Sequence, residues 1–301
     1  MLASGNGLDG LATEAWNADD AELDLRTTTE LVQRMCDEDA TVPALVAAAA
    51  PAIAVVIDQI AARLLDGGRL VYVGAGTSGR LAAVDAAECE TTFAAPPGQV
   101  QAVVAGGTAT TAAEQESAED DSAAGASELT ALELSRVDAV LGISASGRTP
   151  YVLGALEAAR TAGALTVAIT NVSGSPLAAI AEHEIAVPVG AEVIAGSTRL
   201  KAGTAQKLVL NMISTIAMVR VGKTFGNLMV DVVASNEKLQ NRVRRIVGHA
   251  TGASPEEIDT ALERSGGDAK VAIVSLLAGV DAETARSRLQ ATGGHVRGAL
   301  G

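Results

Sequence analysis

The central part of the chain alternates short runs of apolar, mostly β-branched residues with longer segments whose apolar residues recur at helical spacing. The five short runs lie in "RLVYVGAG", "VQAVVAGG", "DAVLGIS", "LTVAITN" and "EIAVPV". Apolar runs without polar alternation are typical of parallel strands that are covered on both faces, and helices between them supply the crossovers. The pattern therefore predicts an α/β fold with a five-stranded parallel sheet flanked by helices.

Further helices are predicted outside and between these strands. The first 25 residues are rich in Gly, Asp and Ala, and we expect a mobile lead-in followed by a helix over 28–37. Helices are also expected over 42–65, where "DGG" ends the pattern, over 112–134, near Pro176 and after Ala202. The residue pattern of 246–300 predicts three or four short helices.

The layout of this last segment resembles the small ubiquitin-associated three-helix module. We interpret it as a helical cap on the main domain, because layout alone carries no function. The chain is therefore divided into a lead-in with one helix at 1–40, a central α/β domain at 41–235 and a small C-terminal helical domain at 236–301.

The stretch from Val42 to Ile57 is apolar throughout. It is shorter than the roughly 18 to 20 residues that a membrane span needs, and it contains Pro43 and Pro51. We interpret it as a buried helix and expect no membrane partner.

Composition and charge narrow the possible partners. The chain has 301 residues, 36 of them acidic and 22 basic, for a net charge of −14, and only 2% are aromatic. A nucleic-acid partner is not expected, because phosphate backbones require a basic surface. A small anion remains possible, since backbone dipoles and one or two cations in a pocket suffice to bind it.

Cysteine and histidine give no sign of a metal or a disulfide framework. The cysteines are Cys36 and Cys89, and the histidines His183, His249 and His295 are scattered. The N-terminus lacks the basic-then-apolar pattern of a signal peptide. We expect a cytoplasmic protein without a metal.

Two loops at strand ends carry candidate chemistry. "GAGTSGR" follows the first strand and "SASGRT" follows the third, and parallel sheets bind ligands at this edge. The second loop offers the hydroxyls of Ser144, Ser146 and Thr149 beside the N–H groups that open a helix, which favours an anion such as phosphate. An ordinary N-cap would need only one hydroxyl. "GAGTSG" fits a dinucleotide fingerprint nominally, but no acidic residue ends the second strand.

Four blocks, "GAGTSGRLAAVDAAEC", "GISASGRTPYV", "GAEVIAGSTRLKAGTAQK" and "NLMVDVVASNEKL", resemble the N-acetylmuramic acid 6-phosphate etherases. The resemblance runs from about residue 22 to the C-terminus and implies a sugar isomerase domain, which binds phosphosugars. One departure is local. Where the family usually reads Ser-Glu-Cys-Pro-Pro-Thr, this chain has "AECETT".

The resemblance implies removal of D-lactate from C3 of N-acetylmuramic acid 6-phosphate, without a cofactor. The opened sugar has an acidified C2 proton, which a base removes while an acid protonates the departing lactyl oxygen, and water then adds at C3. The family's acid corresponds to Glu88 and its base to Glu119. From the residues alone, Glu88 would be a surface helix residue, and Glu119 could not be chosen from its acidic neighbours. These are Glu114, Glu116, Asp120 and Asp121.

The same four blocks imply which residues bind the substrate. The phosphate is expected at Ser144, Ser146, Gly147 and Thr149. The sugar is expected beside Thr77, Ser78 and Gly79. The lactyl carboxylate or the developing enolate is expected at Ser197, Arg199 and Lys201, for which a structural role remains an alternative.

A shared site is expected from helix geometry. Glu88 lies ten residues after Ser78, so an unbroken helix places it roughly 15 Å from that loop. Because a hexose phosphate is shorter, either the chain turns back after Cys89 or a second subunit contributes. We expect a homodimer with shared sites.

Other functions stay open at this point. An aldose–ketose isomerase would share the phosphate loop and a carboxylate base. A non-catalytic phosphosugar sensor is also conceivable, since glucokinase regulatory proteins resemble the etherases, but they repeat the domain. A sugar-responsive DNA-binding regulator would need a basic helix-turn-helix, which residues 1–60 lack.

Overall fold

The computed structural model describes residues 12–107, 112–232 and 237–301 and contains the expected central sheet. Its five parallel strands are β1 Leu70–Gly74, β2 Val100–Val104, β3 Ala139–Ile143, β4 Leu165–Thr170 and β5 His183–Ala186, in the order β2-β1-β3-β4-β5. Every residue of β1, β3 and β4 is buried, as a sheet covered on both faces requires. The predicted α/β fold is confirmed.

Helices cover both faces of this sheet. Before β5 they are α1 Thr28–Asp39, α2 Val42–Ala48, α3 Ala50–Leu65, α4 Gly76–Phe93, α5 Ala112–Glu119, α6 Ser122–Ala131, α7 Pro150–Thr161 and α8 Pro176–Ile180, and after it comes α9 Lys201–Arg220. One core joins the sheet to α2, α3, α4 and α9. A second core joins its other face to α6, α7 and α8.

Two helices that were expected to be continuous are broken. The helix over 42–65 ends at Ala48 and restarts at Ala50, because Pro51 has no N–H and its ring would clash with the carbonyl four residues earlier. Pro51 instead lies in the first turn of α3, where proline is favoured. The helix over 112–134 is divided because Asp121 accepts a 2.8 Å bond from the Ala124 N–H and so caps α6.

No single helix among the described residues is both long and apolar enough to cross a membrane. The bent pair Thr28–Ala48 and Ala50–Leu65, with 59° between its halves, meets that criterion by length and composition only.

The N-terminal lead-in is more ordered than expected where it is described. The prediction of mobility falls partly on residues 1–11, which lie outside the described residues. Residues 12–25 form three 3-10 turns, Ala12–Glu14, Ala18–Asp20 and Leu23–Leu25. The last turn leads through Thr27, whose side chain forms a capping box with Glu30 at the start of α1.

The C-terminal region is helical, as predicted, with a core of its own. Its helices are α10 Glu237–Thr251, α11 Pro255–Ser265, α12 Ala269–Ala278, α13 Ala282–Ala291 and α14 Val296–Leu300. Their core also takes in Val230 and the hairpin of β6 Thr224–Phe225 and β7 Leu228–Met229. The domain boundary at 236 stays a prediction.

Candidate active site

The two candidate loops meet at the carboxyl edge of the sheet. Gly74, which ends β1, pairs with Ile143, which ends β3, while β2 lies on the opposite side of β1. The direction of strand addition therefore reverses between these two strands, and ligands bind in the crevice at such a point. Helix α4 begins at Gly76, within the first loop, so Thr77 and Ser78 lie in its first turn, and α7 begins directly after the second loop.

A cavity of about 480 Å³ opens at this edge. Eight of the twelve residues predicted from the sequence line it, namely Thr77, Ser78, Glu119, Ser144, Ser146, Thr149, Ser197 and Arg199. The remaining four do not line it, and these are Gly79, Glu88, Gly147 and Lys201. The lining further includes Thr13, Glu14, Arg80, Glu116 and Thr198, which the sequence did not single out.

The serine-rich loop forms a cradle of hydroxyl and backbone N–H groups at the cavity. Ser144 is buried, and its Oγ lies 2.9 Å from Thr149 Oγ1 and accepts a 3.0 Å bond from the Gly147 N–H. Ser146 Oγ accepts a 3.3 Å bond from the Arg148 N–H and keeps its own proton for a ligand. Thr149 makes no side-chain cap bond at the start of α7. The positive end of that helix therefore stays open toward the cavity.

Glycines within the two loops pack so closely against their neighbours that side chains could not fit. A Cβ on Gly79 would lie 2.7 Å from the Gly74 carbonyl oxygen, so glycine lets α4 pack directly against β1. Gly147 has a φ of +63°, and its Cβ would lie 2.2 Å from Ser175 Oγ. Both predicted residues thus act through backbone shape, because neither has a side chain to offer a ligand.

Glu119 lies at the end of α5 against the first loop. A Cβ on Gly76, whose φ is +51°, would lie 2.7 Å from Glu119 Oε1, so glycine there makes room for the carboxylate. Burial raises the pKa of Glu119, and the negative charges of Asp120 and Glu116 raise it further, while Arg80 opposes them. A partly buried carboxylate of raised pKa, placed in a cavity, suits proton abstraction.

Arg199 and Lys201 have different environments although they are two residues apart. Arg199 is exposed in the cavity wall and has no ion-pair partner among the described residues. Lys201 is buried, and its ammonium group pairs with Glu38. Buried Glu192 accepts bonds of 3.0 Å from the backbone N–H groups of both Lys201 and Ala202. Lys201 therefore has partners within the chain and does not reach the cavity.

Glu88 lies away from the cavity, on the exposed side of α4. That helix runs unbroken to Phe93, through the departure "AECETT", so the expected alternative that the chain turns back after Cys89 is wrong. Buried Asp85 fixes the helix by accepting hydrogen bonds from Tyr72 of β1, at 2.9 Å, and Ser214 of α9, at 3.1 Å. Glu88, one turn after Asp85, is nevertheless exposed to solvent.

Two family models match the central part of the chain. The glucokinase regulatory protein N-terminal SIS domain matches residues 52–160, and the SIS domain matches residues 119–216. Solved phosphoheptose isomerases share the fold. The protein from Francisella tularensis superposes with a TM-score of 0.53 at 23% identity, over 64% of this chain and 100% of that one. The protein from Neisseria gonorrhoeae gives 0.50 at 20% identity, over 64% and 98%.

Relatives that match nearly the whole chain are more informative about its family. An N-acetylmuramic acid 6-phosphate etherase of Rubrobacter xylanophilus is 59% identical over 98% of this chain and 97% of its own length. Proteins of the same name from Streptomyces avermitilis (54%) and Escherichia coli O17:K52:H18 (49%) each cover 97% of this chain, and 94% and 98% of their own lengths. The chain belongs to the N-acetylmuramic acid 6-phosphate etherase family. The resemblance drawn from the four sequence blocks is confirmed.

In this member of the etherase family, a buried amide network holds the two loops together, and the sequence did not reveal it. Ser78 Oγ donates a 2.8 Å bond to Gln206 Oε1 of α9, and Gln206 Nε2 donates a 3.0 Å bond to Asn171 Oδ1. The backbone N–H of Asn171 donates to the Ala145 carbonyl at 2.9 Å. Gln206 was within a matching block, but its role required knowing that α9 passes beneath both loops.

The histidines are not part of this site. Among the described residues no three His, Cys, Asp or Glu side chains are grouped to hold a metal ion. His183 lies 2.7 Å from Gln59 Nε2, at the edge strand β5.

Proposed function

We propose that this chain cleaves the lactyl ether of N-acetylmuramic acid 6-phosphate, giving N-acetylglucosamine 6-phosphate and D-lactate. The carbon–oxygen lyase activity is the one named for its relatives at 49–59% identity over nearly the full chain. The observation that carries the proposal is that one cavity is lined by Glu119, by the hydroxyl-bearing serine loop and by Arg199.

The cradle is assigned to the 6-phosphate. Ser144, Ser146 and Thr149 supply hydroxyls, and the first turn of α7 supplies N–H groups and a positive helix end. These groups bind a dianion without many cations, which suits a chain of net charge −14. Arg199 and Ser197 are assigned to the lactyl carboxylate, which is the second negative end of the substrate. Thr77 and Ser78 face the sugar between them.

Glu119 is assigned as the base. It takes the C2 proton of the opened sugar, the electron pair moves to form a C2–C3 double bond, and the C3–O bond breaks. The ether oxygen leaves with the lactyl group and receives a proton from the acid, which we assign to Glu88. Water then adds at C3 and a proton returns to C2, so no electrons are gained or lost and no metal or cofactor is required.

The distance between Glu88 and the cavity of its own chain supports a homodimer. In that assembly Glu88 of one subunit completes the cavity of the other, and each site uses the acid of one chain and the base of its partner. We further propose that the protein works in the cytoplasm, within recycling of peptidoglycan sugars.

An isotope experiment tests this reaction. In heavy water the product should carry deuterium at C2, and in labelled water it should carry the label at C3. Glu119→Gln should lose C2 exchange, because an amide cannot accept the proton. Ketose phosphate formed without lactate would favour the isomerase alternative, and retention of the original oxygen at C3 would overturn the elimination.

A further inference from the structure

Residues 12–26, here called the N-terminal segment, contribute a wall of the cavity. Thr13 and Glu14 both line it, although they precede the four sequence blocks on which the family resemblance was based. A Cβ on Gly196, whose φ is +75°, would lie 2.9 Å from Glu14 Oε2. The segment therefore approaches the loop that carries Ser197 and Arg199 as closely as glycine allows.

Charged side chains hold the N-terminal segment in this place. Buried Asp20 accepts two 2.8 Å hydrogen bonds from the guanidinium group of Arg34, which lowers the pKa of Asp20. Arg34 also pairs at 2.6 Å with Glu38, and Glu38 pairs with Lys201 at the start of α9. This chain of ion pairs links the segment to α1 and to the helix that follows the Arg199 loop. Lys201 thus has a role as an anchor.

Thr13 carries a polar atom that the protein leaves unsatisfied. Its side chain is buried, with 2% exposed, and its Oγ1 has no hydrogen-bond partner among the described residues. Buried hydroxyls without a partner are uncommon and require an explanation. Because Thr13 lines the cavity, a ligand atom bound there would supply the missing partner.

The charges of the cavity indicate which part of the ligand would bind to Thr13. Glu14 lies next to Thr13 and has no ion-pair partner among the described residues, so this wall would repel the phosphate and the lactyl carboxylate. An acetamido group is uncharged and offers one N–H donor and one carbonyl acceptor, which complement a carboxylate and a hydroxyl. C2, which bears that group, is bonded to C3, and Gly196 precedes Ser197, which is assigned to the lactyl end.

We propose that Thr13 and Glu14 recognise the 2-acetamido group of the substrate, and that they set the preference for an N-acetylated amino sugar. This inference rests on the proposed function. Thr13 Oγ1 donates to the acetamido carbonyl, and Glu14 accepts from the acetamido N–H. The N-terminal segment is then a specificity element that the ion pairs of Asp20, Arg34 and Glu38 hold in position.

The test compares two substrates that differ only at C2. One is N-acetylmuramic acid 6-phosphate, and the other is 3-O-lactyl-glucose 6-phosphate, which has a hydroxyl in place of the acetamido group. Thr13→Val keeps the side-chain shape and removes the hydroxyl. It should lower kcat/KM for the acetamido substrate about tenfold and change that for the analogue less than about twofold. Thr13→Ser, the matched control, should stay near the wild type on both.

Binding provides a second measurement that needs no turnover. Measured by calorimetry, Thr13→Val should weaken the binding of N-acetylglucosamine 6-phosphate and leave the affinities for glucose 6-phosphate and inorganic phosphate unchanged. If the valine variant does not fold, Thr13→Ala replaces it. Equal losses for all ligands, or no loss for any, would overturn the proposal. A wild-type protein that releases no lactate would instead contradict the proposed function itself, so the two failures can be distinguished.

Discussion

The two glutamates assigned to catalysis lie in opposite environments. Glu119 is partly buried in the cavity, where burial and nearby carboxylates raise its pKa. Glu88 is exposed on α4 and outside the cavity. Under the proposed assignment, one chain therefore provides the phosphate cradle, the base and Arg199, but not the acid. The difference then predicts that the fold of one chain prepares proton abstraction, whereas protonation of the leaving group depends on assembly.

The strongest way to break this comparison is to separate the two glutamates onto different chains. Glu88→Gln and Glu119→Gln should each lower lactate release by about 10²- to 10⁴-fold, because each removes one group of an acid–base pair. Mixing the two inactive variants under conditions that exchange subunits should restore about a quarter of the wild-type rate, since half of the dimers then carry one intact shared site.

The control for mixing is the double variant Glu88→Gln/Glu119→Gln with an equal amount of wild type, which should lower the activity to about half that of the wild-type chains present, because neither site of a mixed dimer is intact. If mixing the single variants restores nothing while size analysis shows that subunits have exchanged, then each site uses both glutamates of one chain, and the shared site is wrong.

A second prediction concerns the half of the site that one chain provides. Ser146→Ala removes a hydrogen bond to a charged phosphate, worth about 1.5–3 kcal/mol, and should raise KM about 10- to 150-fold with a smaller change in kcat. Steady-state kinetics would measure this. Ser127→Ala, an exposed serine on α6, should change nothing. A loss confined to kcat would place the phosphate elsewhere.

Apolar patterning was sufficient to predict the sheet and the position of its ligand edge. The three central strands are fully buried runs, and parallel strands bring their carboxyl ends to one edge whatever the helices do. The break at Ala49 shows where patterning failed. Pro51 was interpreted as compatible with one continuous helix. Because proline is favoured only in the first turn of a helix, a new helix begins just before Pro51, although the apolar periodicity continues across the break.

The site was less predictable, because side chains distant in sequence decide its contents. Lys201 and Arg199 are equally cationic in the sequence, and only the approach of Glu38 from α1 turns Lys201 away from the cavity. Thr13 lies in a weakly patterned stretch, and the ion pair between Asp20 and Arg34 ties the segment that carries it to α1. No local signal distinguishes such residues, since tertiary contacts set their environment.

The smallest predicted effect concerns the charges that surround Glu119. The proposed base must be ionised, so the rate falls as the pH is lowered through the pKa of Glu119, which burial raises from its ordinary value. Asp120→Asn removes a negative charge that disfavours ionisation, which should lower the pKa of Glu119 and move the acid limb of kcat/KM to lower pH without changing the plateau. Arg80→Gln should move the acid limb to higher pH, because Arg80 favours the ionised form of Glu119.

Asp121→Asn is the matched control, since it keeps an oxygen to cap α6 and Asp121 is not among the groups that shift the pKa of Glu119. If the acid limb moves for neither Asp120→Asn nor Arg80→Gln, it reports a group other than Glu119, and the raised pKa plays no part in the choice of this carboxylate as the base.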